Sequence, residues 1–335
     1  MAHKDTKIAI LGDGGWGTTL SLLLTAKGYS VTLWGAFPKY VDEVRKKREN
    51  VKFLPGFHIP ESVSLTHDLH AAVAAADVVV LAIPSQHMRD VLRKLKGADV
   101  RRKLFVIVAK GIENKSLKVM SQVVLDELGD VTLGVLSGPT IARDVALKMP
   151  SAASVASPDK KSATLIREMF STEYFTLYES DDILGVQLGG SVKNVIAIAA
   201  GILQGMGCAS NTRAVLFARG VAEMARLGQA MNAHRETFMG LSGLGDLATT
   251  CLSPHSRNRS LGEEVGKGKD LKKILKETEM VVEGVETAHS TVALAKKLKI
   301  QMPITEAVHG ILFGGKNPKT LIAAMMKQDP YRERD

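Results

Sequence analysis

The chain has 335 residues, 45% of them hydrophobic and 24% charged, which excludes a disordered tail protein and, at about 150 residues per domain, points to two domains. Its net charge is +9, but the basic runs at Arg45–Arg48, Arg101–Lys103, Lys272–Lys273 and Lys296–Lys299 are scattered, as on solvated helix faces. Only 5% of residues are aromatic, too little stacking material for a single-strand nucleic-acid surface.

The N-terminal residues lead into a short apolar run, Ile8–Leu11, with no secretory h-region, so no signal peptide is expected. Lys7–Leu11 reads as the first strand. Gly12-Asp13-Gly14-Gly15-Trp16-Gly17 follows it and opens a helix over Thr18–Lys27, with Gly28 where a helix C-terminal glycine belongs. This is G-x-G-x-x-G in the strand–turn–helix setting that the motif needs. Gly12 permits the tight turn, Gly14 lets backbone approach a pyrophosphate, and Gly17 lets helix pack on strand. The helix N-terminus adds free N–H groups. A purely structural glycine turn would look the same outside this context.

A second strand is expected at Ser30–Trp34, where an acid about 20 residues past the glycines would hold an adenosine ribose. The sequence there is Trp34-Gly35-Ala36-Phe37-Pro38, without acid or arginine, and Lys39 reads as a solvated lysine. The choice between NAD and NADP is open at this point. Further strands are read at Asp77–Ile83, Leu104–Val108, Val131–Leu136, Ala152–Ala156 and Tyr174–Tyr178, with helices at Asp68–Ala76, His87–Leu95 and Leu117–Leu128. The middle strands are apolar on both faces, as in a parallel sheet covered by helices. This alternation predicts an α/β, doubly wound Rossmann-type domain over residues 1–182.

After Asp182 strand-like runs vanish, and an all-helical domain over 183–335 is expected. Its helices are read at Leu184–Gln204, Thr212–Leu227, Gly284–Leu298, Pro303–Leu312 and Pro318–Lys327. Gly185, Gly189 and Gly190 in the first imply close packing or a ligand. The longest apolar stretches, such as Val195–Ala200, fall short of a membrane span. Two cysteines, Cys208 and Cys251, make a disulfide framework unexpected and a reducing cytoplasm the natural setting.

Several polar residues stand where chemistry would need them. Lys110 follows the buried strand Leu104–Val108 at its carboxyl end, where open α/β sheets bind ligands, although a surface lysine reads the same way. Lys193 and Asn194 interrupt an apolar, small-residue segment. A lysine desolvated there favours its neutral form and suits a general base; a snorkelling lysine is the plainer alternative. Gly243-Leu244-Gly245-Asp246 places one acid in a loop of small residues. Ser256-Arg257-Asn258-Arg259 gathers donors suited to a phosphate, or to a solvated helix start. His67 and His70 lack partners for a metal site, and none is expected. Cys251 reads as inert.

Taken together, Gly-Asp-Gly-Gly-Trp-Gly-Thr at 12–18, Phe-Leu-Pro-Gly at 53–56, Ala-Ile-Pro-Ser-Gln at 82–86 and Ala-Lys-Gly-Ile-Glu at 109–113 form an ordered set. It continues with Ser-Gly-Pro-Thr-Ile-Ala-Arg-Asp-Val-Ala at 137–146, Leu-Gly-Gly-Ser-Val-Lys-Asn-Val-Ile-Ala at 188–197, Met-Gly-Leu-Ser-Gly-Leu-Gly-Asp-Leu at 239–247, Ser-Arg-Asn-Arg at 256–259 and Val-Val-Glu-Gly at 281–284. In these segments the chain closely resembles the bacterial-type NAD(P)-dependent glycerol-3-phosphate dehydrogenases, from Lys7 to about Met326. The resemblance implies a Rossmann-type domain, a helical domain and a site between them. It also implies interconversion of dihydroxyacetone phosphate and sn-glycerol 3-phosphate with NAD or NADP, supplying glycerol 3-phosphate for phospholipid synthesis, and a homodimer.

Carried onto matching positions, the resemblance makes Lys193 the general acid/base, with Lys110 and Asp246 flanking the reacting carbon. Gly138, Thr140, Asn194, Ser256, Arg257 and Asn258 would contact substrate alongside them. Gly12, Gly14, Gly15, Trp16, Gly17, Lys110, Ala142, Arg257, Val281 and Glu283 would contact cofactor. The chain departs from the family at Ala36 and Phe37, where relatives commonly carry a polar or basic residue and then Asp before the proline. The rival enzymatic reading is a related two-domain hydroxy-acid or hydroxyacyl-CoA dehydrogenase, against which Ser256–Arg259 and the Gly-Leu-Gly-Asp segment speak. A non-catalytic nucleotide- or nucleic-acid-binding protein is the other, against which Lys110, Lys193 and Asp246 speak.

Overall fold

The structure is a computed structural model that describes residues 5–277 and 281–326. It divides into two compact units, one of Met1–Ala109 with Met120–Val186 and one of Lys110–Val119 with Gln187–Asp335.

The first unit runs β1 (Lys7–Leu11), α1 (Gly15–Ala26), β2 (Ser30–Trp34), α2 (Pro38–Lys47), β3 (Glu49–Asn50), β4 (Leu54–His58), β5 (Val63–Thr66), α3 (Leu69–Ala74), β6 (Val78–Leu81), α4 (Ser85–Lys94) and β7 (Leu104–Ile107). After the excursion at 110–119 it continues with α5 (Met120–Leu128), β8 (Thr132–Ser137), α6 (Ala142–Ala146), β9 (Ser151–Ala156), α7 (Lys160–Phe170) and β10 (Phe175–Ser180). Eight strands form one sheet in the order β10-β9-β8-β7-β6-β1-β2-β5, and β3 pairs with β4 apart from it. All neighbours in the sheet are parallel except β8 and β9. The run β5-β2-β1-β6-β7-β8 is the doubly wound order, in which the chain reverses its winding direction at β1 and β6.

Both faces of the sheet are buried, which explains the continuous apolar runs in its central strands. Ala9, Val79, Leu81, Phe105 and Ile107 face one core, completed by Leu69 and Val73 of α3, Met88 and Leu92 of α4 and Val123 of α5. Their alternate neighbours Ile8, Ile10, Val78, Val80, Leu104 and Val106 face the other, with Leu20 and Leu24 of α1 and Ile166 and Phe170 of α7. The period-two alternation of strand side chains produces this division.

The second unit holds α8 (Ile183–Gly205, entered from the first unit), α9 (Ser210–Ala230), a 3₁₀ turn at Arg235–Met239, a π-helical turn at Leu241–Gly245, α10 (Asp246–Leu252), α11 (Arg257–Gly266) and α12 (Leu271–Glu277). It ends with α13 (Glu283–Leu298), α14 (Pro303–Gly314) and α15 (Lys319–Met326). The sequence put the division at 182/183; the units divide at 186/187, inside the first turns of α8, and the segment 110–119 joins the second unit. No composition shift marks that exchange, because 110–119 is a short loop closed on itself by the Ile112–Val119 bridge. Lys327, the last residue of the final expected helix, lies outside the described residues.

Helix α8 is long and apolar enough to cross a membrane, yet 89% of its most apolar window is buried inside the protein, as befits a core helix. It packs against α11 at van der Waals limit. A Cβ on Gly201 would lie 2.0 Å from the Arg259 carbonyl oxygen, and one on Gly262 would lie 2.1 Å from that of Ile198. Gly205 and Gly266 repeat the contact one turn on, at 2.2 Å from the Glu263 and 2.3 Å from the Ile202 carbonyl oxygen. Two small-residue faces spaced four apart let the helix backbones touch, and any side chain there would force them apart.

Glu223 of α9, wholly buried, caps α14: its carboxylate accepts from the Ile304 N–H, from the Thr305 N–H at 3.2 Å and from Thr305 Oγ1 at 3.0 Å. Burial outweighs these bonds and raises its pKa to about 7. The folded state therefore holds a proton that the unfolded chain releases near the ordinary carboxylate value. Stability from this group is full below the unfolded pKa and is lost as pH rises through about 7. Unfolding measured from pH 4.5 to 8 is expected to show a decline of roughly 3 kcal/mol, at about 1.4 kcal/mol per unit of pKa shift, that is absent in Glu223→Gln.

Candidate active site

Two constellations stand out, one in each unit. In the first, β1 ends at Leu11 and the chain turns through Gly12, whose φ of +121° suits glycine alone. The Gly12 N–H donates to the Trp34 carbonyl at 2.9 Å, tying the loop to the end of β2. A Cβ on Gly17 would sit 1.9 Å from the Gly12 carbonyl oxygen, and one on Gly15 would sit 2.7 Å from that of Phe53. Gly14, the residue before α1, has open space where its Cβ would be. The loop therefore presents bare backbone and the unbonded N–H groups of the first turn of α1 to an anion.

Asn50, fully buried, braces this loop. Its amide donates to the Asp13 carbonyl and to Thr18 Oγ1, each at 2.7 Å, and its oxygen accepts from the Tyr40 hydroxyl at 2.5 Å and the Phe53 N–H at 3.2 Å. Asn50 stands beside a run of charged residues and carries no periodic signal, so sequence alone does not single it out. Ala142 lies against the same loop: its carbonyl accepts from Thr19 Oγ1 at 3.0 Å, and its Cβ is 3.7 Å from where one on Gly15 would be. Trp16 packs edge-on against Phe175 at 6.2 Å between centroids, and its buried Nε1 has no partner among the described residues. Asp13 Oδ2 is likewise buried without a partner among the described residues. Orphaned polar atoms beside an open glycine loop fit a dinucleotide, whose phosphates would meet the α1 N-terminus. Elsewhere in this unit Gly138, directly after β8, has φ +156°, and its carbonyl accepts from Thr140 Oγ1 at 3.1 Å. The neighbouring Ser137 Oγ is buried and unpartnered among the described residues.

The second constellation centres on Asp246. The acid read from sequence as part of a small-residue loop instead opens α10, directly after the π-helical turn. Such turns recur where a helix must re-aim side chains at a site. Gly189 of α8 allows this turn to approach, since a Cβ there would be 2.6 Å from the Ser242 carbonyl oxygen. Asp246 is 2% exposed, and its two oxygens take one lysine each: Lys110 Nζ at 2.6 Å on Oδ2 and Lys193 Nζ at 2.9 Å on Oδ1. Lys193 also donates to Thr250 Oγ1 at 2.6 Å, and Thr250 donates to the Asp246 carbonyl at 2.7 Å. Thr250, one turn along α10, is a member that the sequence reading did not single out.

Lys193 is buried at 6% exposure, not snorkelling. Desolvation lowers its pKa, the Asp246 carboxylate opposes that, and the Lys110 charge reinforces it. Glu283, at the start of α13, is shifted upward by burial, against the pull of Arg257, Lys110 and Lys193. One residue along α8, Asn194 Oδ1 accepts from Asn258 Nδ2 at 2.8 Å, and Asn258 Oδ1 accepts from the Gly284 N–H at 2.9 Å. Ser256 caps α11 by accepting from the Arg259 N–H at 3.2 Å. Arg257 is exposed, and its guanidinium donates to the Val281 carbonyl at 2.6 Å. The α8–α11 glycine crossing thus brings the two helices together where Asn258 meets Asn194.

Cys251 is buried and its thiol is pushed up to about 12, which leaves it unreactive. Among the described residues no group of three or more His, Cys, Asp or Glu side chains is placed to hold a metal ion.

Residues 7–163 match the N-terminal and residues 182–323 the C-terminal family model of NAD-dependent glycerol-3-phosphate dehydrogenase. The glycerol-3-phosphate dehydrogenase [NAD(P)+] of Syntrophotalea carbinolica is 46% identical over 98% of this chain and 99% of its own length. That of Prosthecochloris aestuarii is 44% identical over 97% of this chain and 99% of its own. The crystal structure of glycerol-3-phosphate dehydrogenase from Coxiella burnetii superposes with a TM-score of 0.94 at 36% identity, over 97% of this chain and all of that one. With both halves matched in order and near-complete coverage of curated relatives, the chain belongs to the NAD-dependent glycerol-3-phosphate dehydrogenase family of oxidoreductases.

Proposed function

We propose that the chain interconverts dihydroxyacetone phosphate and sn-glycerol 3-phosphate with NAD(H) or NADP(H), in the cytoplasm and as a homodimer, supplying glycerol 3-phosphate for phospholipid synthesis. The observation that carries the chemistry is the pair of lysines sharing the buried carboxylate of Asp246. A nicotinamide dinucleotide bound at the glycine loop would supply or take up the hydride, and Gly12, Gly14, Gly15, Trp16, Gly17 and Ala142 would hold it.

Reduction of a ketone requires a proton at its oxygen. As an ammonium, Lys193 polarises that oxygen and donates the proton; as a neutral amine it removes the hydroxyl proton in the reverse direction. Its lowered pKa serves both directions, because loss of the proton costs less than in an ordinary lysine. Asp246 holds the ammonium in place and limits that lowering. Thr250 fixes a second Nζ hydrogen, so the remaining one is aimed. Lys110 stabilises charge developing on the alkoxide.

Ser256, Arg257 and Asn258 at the N-terminal end of α11 anchor the substrate phosphate, with Asn194 beside them. Binding energy from the phosphate then orients a reacting carbon that has few handles of its own. Arg257→Ala is expected to raise KM for dihydroxyacetone phosphate by one to two orders of magnitude, with a smaller effect on kcat. Steady-state kinetics with phosphorylated and unphosphorylated substrate checks this, and an unchanged preference for the phosphorylated one would remove Arg257 from the anchor.

A further inference from the structure

In the doubly wound fold, an acid at the carboxyl end of β2 holds the adenosine ribose and discriminates against a 2′-phosphate. This chain has Gly35 and Ala36 there. The space is nevertheless not free of negative charge. A Cβ on Gly35 would lie 2.2 Å from Asp13 Oδ2 and 2.7 Å from Asp13 Cγ. The carboxylate of Asp13, carried by the glycine loop, therefore occupies the volume that a strand-end side chain would fill, and the glycine at position 35 makes room for it.

Three further features give this acid a purpose. Its Oδ2 is buried and has no hydrogen-bond partner among the described residues, an arrangement that native structures seldom leave without a ligand. Its backbone is fixed on both sides: Asn50 holds the Asp13 carbonyl at 2.7 Å, and the Gly12 N–H binds Trp34. The Gly35 N–H donates to the Thr66 carbonyl of β5 at 3.0 Å, which fixes the strand end as well. Burial also raises the Asp13 pKa, against a bond from its own backbone N–H, as expected of a carboxyl kept out of water. Lys39 is exposed on the first turn of α2, where solvent screens it more than the loop screens Asp13.

We propose that Asp13 replaces the missing strand-end acid: its unpartnered oxygen accepts from the adenosine-ribose 2′-hydroxyl of NAD(H) and repels the 2′-phosphate of NADP(H). This rests on the dinucleotide reading of the glycine loop. It makes the chain NAD-selective through a loop residue, where the strand-end position copied from relatives would predict nothing.

The test is binding, without turnover. NADH and NADPH are titrated against the full chain and against Asp13→Asn by calorimetry or by the rise in nicotinamide fluorescence, with circular dichroism confirming fold. The expected result is NADH binding at least about tenfold tighter than NADPH in the original chain. In Asp13→Asn that ratio should fall by about tenfold, mainly through tighter NADPH, a change equivalent to roughly 1.4 kcal/mol. Asp13→Ala, which leaves no side chain to hydrogen-bond, should lose the ratio by weakening NADH as well. Equal affinities in the original chain, or a ratio unmoved by either variant, would overturn the assignment while leaving the dinucleotide site intact. Binding of neither dinucleotide to folded protein would overturn the site and the assignment together.

Discussion

Replacing Lys193 by Ala is expected to lower turnover by a factor on the order of 10³, the usual worth of a positioned general acid/base, while dinucleotide binding is kept. The two effects separate because the glycine loop and its Asn50 brace belong to the first unit, whereas Lys193 lies in the second. Asp246 keeps Lys110 as a counter-ion in the variant, so the loss of stability should be smaller than the roughly 3–5 kcal/mol typical of a buried charge left unpaired. Lys193→Arg sharpens the result. It keeps a positive charge but gives a group that does not release its proton near neutral pH, so it should remain nearly as inactive as the alanine variant. A pre-steady-state measurement of nicotinamide oxidation with dihydroxyacetone phosphate isolates the chemical step. Arginine restoring most of the rate would reduce Lys193 to an electrostatic role, and alanine retaining most of it would remove Lys193 from the chemistry.

Asp246→Asn is expected to damage both stability and catalysis. The carboxylate is the shared counter-ion of two lysines at 2.6 Å and 2.9 Å, one of them fully enclosed. Breaking a buried pair by removing one partner typically costs about 3–5 kcal/mol. Part of that cost can be relieved by deprotonating Lys193, since Asp246 is the group that opposes the lowering of its pKa. The sign is fixed: without the carboxylate, Lys193 loses its proton at lower pH. Ketone reduction, which needs the ammonium, should then fall off at a lower pH than in the original chain. The stability loss should shrink in a Lys193→Ala background, because the stranded cation is gone. Chemical unfolding of the four chains at pH 6 and pH 8, with the pH–rate profile of Asp246→Asn, measures both effects. A loss within about 0.5 kcal/mol, typical of an unremarkable surface change, together with an unshifted profile, would contradict the shared-counter-ion account.

The parts of the fold that were legible in the sequence are those where one physical signal dominates. β1 and β2 are read to the residue because each is a short apolar run bounded by glycine. β5 is missed because Val63–Thr66 is an edge strand with only one residue fully buried, so its pattern is hardly apolar. The short helices α10, α11 and α12 fall among charged and glycine-rich residues whose periodicity is too brief to register, and their places are set by packing such as the α8–α11 glycine crossing.

The site divides in the same way. Lys193 is legible because a lysine amid glycines and aliphatics has few mundane explanations, and its partner Asp246 is suggested by the glycines around it. Thr250 and Asn50 are not legible, since a threonine and an asparagine carry no pattern until the fold brings donors and acceptors to them. Asp13 reads as the variable residue of a glycine motif. Its meaning comes from a strand end that is remote in sequence and adjacent in space.

The central claim is tested most directly by following reduced-nicotinamide absorbance with dihydroxyacetone phosphate, NADH and NADPH run side by side, for the original chain and Lys193→Ala. The account predicts oxidation that saturates with dihydroxyacetone phosphate, is weak with unphosphorylated dihydroxyacetone, is faster with NADH, and is nearly abolished in the variant. Folded protein that binds dinucleotide yet oxidises neither with dihydroxyacetone phosphate would contradict the substrate and the role given to Lys193.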